Sequence, residues 1–369
     1  MLSIGVDLDG VCARYNDYLR HVVADHTSTP AESYPEPEFY SFVQSGWPLK
    51  DEKEYAEVHC AAVADGMYKN LDSIPGATRT LHALSNDGHH LRVITSRFVR
   101  PGQHAIVCSD TVEWLDHAMD ENHQPITDEN GHRLSYDEAV EQGHNAHRRV
   151  PYTDIAFTAL KHEVERDVYI DDSPSNIYNL STKTDGLVII FNTPYNKRHE
   201  EYGILDKYGY RVYGWDDDSL DAEGQALAAE GKQVPTVKSF IDNLTEALAT
   251  PSKDRDKLTT EQIARLDELA SLETGWLYDT GCRVTPQAIR AAESVLAHSN
   301  AMGLKLPGVF PHVEGGIGIE WGDSNMTEVY VSSNGVAVFY SELHAPDGET
   351  LDVARADEKL PTELRAEAS

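Results

Sequence analysis

Five short apolar runs constrain this chain more than anything else in it: residues 2–7, 91–95, 155–157, 168–170 and 187–191. Each is too short for a helix and is rich in Val, Ile and Leu, as a strand buried on both faces requires. Helical patterns lie between most of them, from Val11 to about His26, over 51–68, and from Pro75 through Leu81 and Leu84 to the Asp87-Gly88 stop. Strands alternating with helices predict a parallel sheet covered on both faces, an α/β, Rossmann-like architecture. The gap between the first two strands exceeds what one crossover needs. It predicts a small helical cap inserted at about 12–75, with the Pro- and aromatic-rich stretch 27–50 inside it. Residues 121–150 are polar and predict a surface insertion or hairpin.

At 369 residues the chain suits two domains. The composition shifts at Thr-Pro-Ser-Lys-Asp-Arg-Asp-Lys, so the expected division is a first domain over 1–250, a linker at 251–257 and a second domain over 258–369. The second reads as a small α+β unit. Helices are expected at 259–272 and 286–303 and strands at 316–321, 328–332 and 336–340, with Asn334-Gly335 as a hairpin turn. Gly315-Gly316 reads as a strand entry turn, because no helix start or Lys follows it. No catalytic set assembles in this part of the sequence, and an interaction role, as a homo-oligomer contact or a protein-partner surface, is the expectation for it.

The 62 acidic residues outnumber the 31 basic ones, for a net charge of −31. Such a surface repels polyanions, which argues against duplex nucleic acid as a partner. A small phosphorylated substrate remains compatible, provided a metal and a few cations make one site locally positive. No apolar stretch reaches the length of a membrane helix, and the N-terminus does not read as a signal peptide. Cys12, Cys60, Cys108 and Cys282 are scattered, which predicts reduced thiols and a cytoplasmic protein.

The chemistry concentrates at strand ends. The first run ends Val6-Asp7-Leu8-Asp9-Gly10, the second Ile94-Thr95-Ser96-Arg97, and a later one Ile170-Asp171-Asp172-Ser173-Pro174, with Lys161 ten residues before Asp171. Ligands of a parallel sheet sit beyond the carboxyl ends of its strands. Paired carboxylates there suit Mg²⁺, a hard ion that takes few protein ligands. Hydroxyls and amides at a strand-to-helix turn can bind phosphate oxygens. Taken singly, each element has a plainer reading. Asp-x-Asp-Gly also occurs in turns and calcium loops, Thr-Ser in ordinary turns, Asp172 as a helix cap before Ser173-Pro174, and Lys161 as a surface lysine.

Together, in this order, the elements resemble the haloacid dehalogenase superfamily, whose four motifs match Asp7/Asp9, Thr95, Lys161 and Asp171/Asp172 over residues 1–200. Asp-Leu-Asp-Gly-Val, Pro75-Gly76-Ala77, Thr-Ser-Arg and Ile-Asp-Asp-Ser-Pro are similar to the 5′(3′)-deoxyribonucleotidase-like branch. The resemblance implies a Mg²⁺-dependent phosphatase. Asp7 is then the nucleophile, forming an aspartyl-phosphate, and Asp9 the general acid and base, with its carbonyl on the metal. Mg²⁺ is held by Asp7 and the Asp171/Asp172 pair, Asp172 more directly, while Lys161 and Thr95 clamp the phosphoryl group. The implied substrate is a small phosphorylated molecule, a (deoxy)nucleoside monophosphate first. Another phosphometabolite or a nucleic-acid end, or a binding protein built on the same domain, are the alternatives.

For the substrate side, Tyr15, Phe39, Tyr40, Phe42, Trp47 and Tyr68 offer flat faces on which a base could stack, and most of them also suit a cap core. Tyr15 and Trp47 are the preferred contacts, with Ser96 and Arg97, and Arg100 beside them, for phosphate or sugar. His144 and His147 stand three apart, but without a third ligand they read as polar loop rather than metal site.

Overall fold

The computed structural model describes residues 1–97, 102–249, 252–278, 280–322, 327–341 and 345–351. The chain divides into two compact units, Met1–Leu205 and Asp206–Ser369.

In the first unit, five parallel strands carry the core: β1 (Ser3–Val6), β2 (His90–Thr95), β3 (Asp154–Phe157), β4 (Val168–Asp171) and β5 (Leu187–Phe191). They lie side by side in the order β5-β4-β1-β2-β3. The chain builds one side of β1 first and then crosses to the other. That makes the carboxyl end of β1 the switch point where a crevice opens in such sheets. Register aligns Val6 with Val93 on one side and Ile170 on the other, so Asp7, Thr95 and Asp171 end at one edge. Gly5 lets the central strand sit this deep: a Cβ there would come within 2.7 Å of Ile94 Cδ1.

The expected cap is present as helices Tyr15–Thr27, Glu52–Ala64 and Met67–Asn70. It closes over its own apolar cluster of Leu19, Val23, Tyr34, Phe42, Trp47, Leu49 and Val58. The helix Glu52–Ala64 starts where Asp51 accepts the Glu54 N–H at 2.9 Å, one of the orphan donors of a helix start. The polar insertion is a hairpin-like excursion. Ala118–Met119 pairs antiparallel with His147–Arg148, and the short helix Tyr136–Glu141 is capped reciprocally by Ser135 and Glu138.

Three imidazoles meet at this excursion. His123 Nδ1 lies 2.7 Å from His147 Nε2, His147 packs edge-on against His82, and His82 donates to the Arg148 carbonyl at 2.6 Å. His144 does not join them. Among the described residues, only Asp7, Asp171 and Asp172 have three ligand atoms close enough together for one metal ion.

Nearby His117 is buried, and its Nδ1 has no hydrogen-bond partner among the described residues. Burial first, then Arg149, Arg133 and Lys69, push its pKa down to about 3. Unfolded histidine titrates near 6.5, so between pH 6.5 and 3 the unfolded chain binds a proton that the folded chain refuses. Stability from this residue is therefore lost as pH falls through that window, by about 3 kcal/mol at pH 4. Denaturant unfolding at pH 7 and pH 4 should show a smaller loss for His117→Gln than for the parent. An identical pH slope in both would exclude this contribution.

The second unit carries a five-stranded antiparallel sheet in sequence order: β6 (Gly308–Pro311), β7 (Ile317–Trp321), β8 (Thr327–Val331), β9 (Ala337–Ser341) and β10 (Ala345–Leu351). Alternation puts Ile317, Ile319, Trp321, Val329, Val331, Ala337 and Phe339 on one face, packed with Leu266, Leu269, Ala292, Val295 and Leu296 of helices Thr260–Ala270 and Pro286–Ala301. Gly335, at φ +79°, makes the expected turn between β8 and β9, and Gly315, at φ +80°, the turn before β7. The edge strands β6 and β10 were not anticipated, since Gly308-Val309-Phe310-Pro311 carries two strand-breaking residues.

The stretch read from composition as a linker behaves differently in its described part, Ser252–Lys257. Arg255 reaches the buried Glu293 at 2.5 Å, and Ser294 donates to Asp254 at 2.6 Å. Its charges look like those of a solvated linker, but they find partners on the helix Pro286–Ala301. Among the described residues no helix is long and apolar enough to cross a membrane, and all four cysteines are free thiols.

Candidate active site

The strand ends bring the expected residues together. Asp7 continues β1, its N–H bonded to Ile170 O at 3.0 Å, and its carboxylate is buried. Lys161 comes from a 3₁₀ turn, Lys161–Glu163, that leads into β4. Its Nζ lies 2.8 Å from Asp7 Oδ1 and 2.7 Å from Asp171 Oδ2, with only 3% of the side chain exposed. The surface-lysine alternative is thereby excluded. Asp171 also accepts the Ser173 N–H at 2.9 Å and both contacts of the Asn176 amide, at 3.2 and 3.3 Å. Asp172 does not cap the next helix: Ser173 stands at that position, and Pro174 opens Pro174–Lys183. The Asp172 carboxylate instead accepts a hydrogen bond from the Tyr195 hydroxyl at Oδ2.

Asp7, Asp171 and Asp172 each offer an oxygen within 4.8 Å of the others. Asp7 and Asp171 share one ammonium, Asp172 lies beside them without it, and their electrostatics show the crowding. Burial, then Asp171 and Asp9, raise the Asp7 pKa to about 7 against the pull of Lys161. Burial, then Asp7 and Asp171, hold Asp172 well above the carboxylate range. Burial works against the Lys161 charge, yet Asp171 and Asp7 outweigh it and raise its pKa. This excess of negative charge on hard oxygen donors fits a divalent cation such as Mg²⁺.

Gly10, at φ +83°, turns the chain immediately after Asp9. A Cβ there would overlap the Asp172 carboxylate, so only glycine fits both the backbone and the space. Asp9 is gripped by Arg97: Nε donates to both oxygens, at 3.1 and 3.0 Å, and Nη2 to Oδ1 at 2.6 Å. The guanidinium also donates to Thr111 Oγ1 at 3.2 Å and lies 4.4 Å over the Tyr68 ring. Thr95 is buried at the end of β2, while Ser96 is exposed and bonded to Thr158 O. Arg100 lies outside the described residues.

Asp7, Asp9, Gly10, Thr95, Ser96, Arg97, Asp172 and Tyr195 line one cavity of about 360 Å³ together with the cap, while Lys161 and Asp171 stand behind Asp7, outside the lining. Tyr15, Phe39, Tyr40, Phe42 and Tyr68 all face it, as do Tyr55 and His59. The Tyr15 hydroxyl pairs with that of Tyr55 at 2.9 Å. Trp47 is not among the lining residues. It is 2% exposed, 4.4 Å from Phe42 ring to ring, and spends its N–H on Pro35 O at 3.1 Å. Trp47 is therefore not the substrate contact expected from sequence; its indole is the largest side chain filling the cap core. Tyr195, Asn196 and Asn176, which brace the acidic pair, were not singled out in the sequence. The available signal was Asn192-Thr193-Pro194-Tyr195-Asn196, a polar turn at the carboxyl end of β5, where a sheet of this kind keeps its chemistry.

The sequence model of the family described as "5′ nucleotidase, deoxy (Pyrimidine), cytosolic type C protein" matches residues 1–220. A Chlorobaculum tepidum protein named "Putative 5′(3′)-deoxyribonucleotidase" is 31% identical over 202 residues, 54% of this chain and 83% of the relative. Among solved structures, a "predicted phosphoglycolate phosphatase" from Haemophilus somnus 129PT has 13% identity and a TM-score of 0.28, covering 55% of this chain and 86% of that one. CbbY from Rhodobacter sphaeroides has the same identity and TM-score, covering 57% and 93%. The match over residues 1–220 and the curated relative place the chain: it belongs to the 5′ nucleotidase, deoxy (pyrimidine), cytosolic type C family of the haloacid dehalogenase superfamily and is a phosphatase.

Proposed function

We propose that the chain hydrolyses (deoxy)nucleoside monophosphates in two displacements at Asp7. In the first, an Asp7 oxygen attacks phosphorus and the bond to the nucleoside oxygen breaks, while Asp9 gives that oxygen a proton. In the second, water attacks the aspartyl-phosphate, its proton passes to Asp9, and inorganic phosphate leaves with Asp7 restored. Lys161 and the Thr95 hydroxyl offset charge on the phosphoryl oxygens, and Ser96 stands at the cavity wall as a further substrate contact, its hydroxyl turning from Thr158 O when substrate is bound. Asp7, Asp171 and Asp172, with the Asp9 carbonyl, would hold Mg²⁺, which supplies charge neutralisation of the phosphoryl group and the carboxylates. Arg97 keeps the Asp9 carboxylate aimed into the cavity. Tyr15 and its aromatic neighbours supply the face on which a base stacks.

The observation that carries this reading is one cavity lined at its floor by the strand-end carboxylates and at its wall by cap aromatics. The four free thiols suit a cytoplasmic setting, and the second unit is assigned a partner-binding or self-association role. The test of the reaction is phosphate release with and without Mg²⁺ across deoxy- and ribonucleoside monophosphates, sugar phosphates and 5′-phosphorylated oligonucleotides. Turnover should be Mg²⁺-dependent and at least about 10-fold faster on nucleoside monophosphates, one to two kcal/mol of preferential binding. Equal rates on sugar phosphates would remove the nucleotide assignment. Silence over the whole panel from folded protein would leave a binding role instead.

A further inference from the structure

We propose that Tyr195 is a positioning residue for the cation site, its hydroxyl fixing the Asp172 carboxylate in the orientation that a divalent ion needs. The proposal rests on the reading of Asp172 as a cation ligand given above.

After β5 ends at Phe191 the chain turns through Asn192 and Thr193 into the short 3₁₀ turn Pro194–Asn196. Proline fixes φ at the start of that turn, so the next two side chains leave it in defined directions. Tyr195 is 6% exposed and points its hydroxyl at Asp172 Oδ2. Asn196 is fully buried, and its amide is engaged at both ends. Nδ2 donates to Asp172 O at 2.9 Å and to Phe191 O at 2.8 Å, and Oδ1 accepts from the Thr193 N–H at 3.2 Å. The end of β5 is thus tied to the end of β4 twice, once through the Asp172 main chain and once through its carboxylate.

The carboxylate contact matters because of what surrounds it. Asp7 and Asp171 both repel Asp172, and the nearby ammonium of Lys161 is shared between those two other acids. The Tyr195 donor restricts rotation of the Asp172 carboxyl group within this crowded trio. The Tyr195 hydroxyl holds Oδ2 and so fixes the plane in which the Asp172 carboxylate would meet an ion. The space is matched as well. Gly10 is the point where a Cβ would collide with Asp172 and come within 2.8 Å of the Tyr195 hydroxyl, so the pair fills the room that glycine leaves. The Tyr195 ring is steadied from the cap side by Tyr40, edge-on at 5.8 Å. Hydrogen bonds to ligating carboxylates commonly change metal affinity or activity by about 10- to 100-fold when removed.

Tyr195→Phe keeps the ring and its packing and deletes one O–H. Mn²⁺ binding followed by electron paramagnetic resonance without substrate, with Mg²⁺ as competitor, should show affinity about 10-fold weaker than the parent. Activity should fall in step and recover in part as Mg²⁺ is raised, with substrate KM little changed. A purely structural role would lower the thermal midpoint and leave cation affinity alone, and that result would overturn the proposal. Asp172→Asn, measured in parallel, separates the two levels. If it weakens Mn²⁺ binding and Tyr195→Phe does not, only the role of Tyr195 falls. If it binds Mn²⁺ like the parent, Asp172 is no ligand and both claims fall together.

Discussion

Asp7→Asn should lower phosphate release by about 10⁴-fold or more, as loss of a nucleophile does in enzymes of comparable design. The amide is the size of the carboxylate and cannot attack phosphorus. The fold should survive. Lys161 retains Asp171 at 2.7 Å, and the variant loses one of three mutually repelling carboxylates, whose crowding shows in the Asp7 pKa of about 7. The thermal midpoint is therefore expected to equal or exceed that of the parent. Turnover above about 1% of parental in protein with a normal melting curve would take the nucleophile away from Asp7.

Lys161→Met should combine loss of activity with loss of stability. The ammonium is the common partner of Asp7 and Asp171, and all three groups are buried. Removing one member of a buried ionic set leaves the others without compensation, at a cost of about 3–5 kcal/mol. Denaturant unfolding without divalent ions should show that loss, and added Mg²⁺ should restore part of it by supplying positive charge to the same oxygens. Lys161→Met/Asp171→Asn should also regain part of it. Single-variant stability within about 0.5 kcal/mol of the parent would mean that Lys161 is not the counter-ion the geometry makes it, since changes that small are typical of surface sites.

These two variants pull stability in opposite directions, and the reason bears on what was legible in the sequence. The floor of the site was legible because Asp7 immediately follows a buried strand and Thr95 and Asp171 are the last residues of theirs. Val6-Asp7, Ile94-Thr95 and Ile170-Asp171 announce both the strand and the side chain at its end, and parallel register does the rest. The braces were not legible. Tyr195 and Asn196 act on Asp172 from 23 and 24 positions away in sequence, and a phenol in a turn carries no sign of where its hydroxyl will point. Arg97 was visible as a charge beside a strand-to-helix turn, yet the structure commits its guanidinium to Asp9 and Thr111. Trp47 shows the same limit from the other side. Six aromatics in the cap were candidates for one wall, and periodicity cannot separate rings that face a cavity from a ring that fills the core behind it.

The cap's packing has a further consequence. Leu19, Val23, Trp47, Leu49 and Val58 pack in a cluster of the cap's own that includes, among the described residues, none from the strand that leads into Asp7. The cap aromatics and the strand-end carboxylates are thus anchored in separate pieces of the same unit. Selection, or a designer, could repaint the wall around Tyr15 and Phe39 for a different guest while the bond-breaking apparatus underneath stayed as it is.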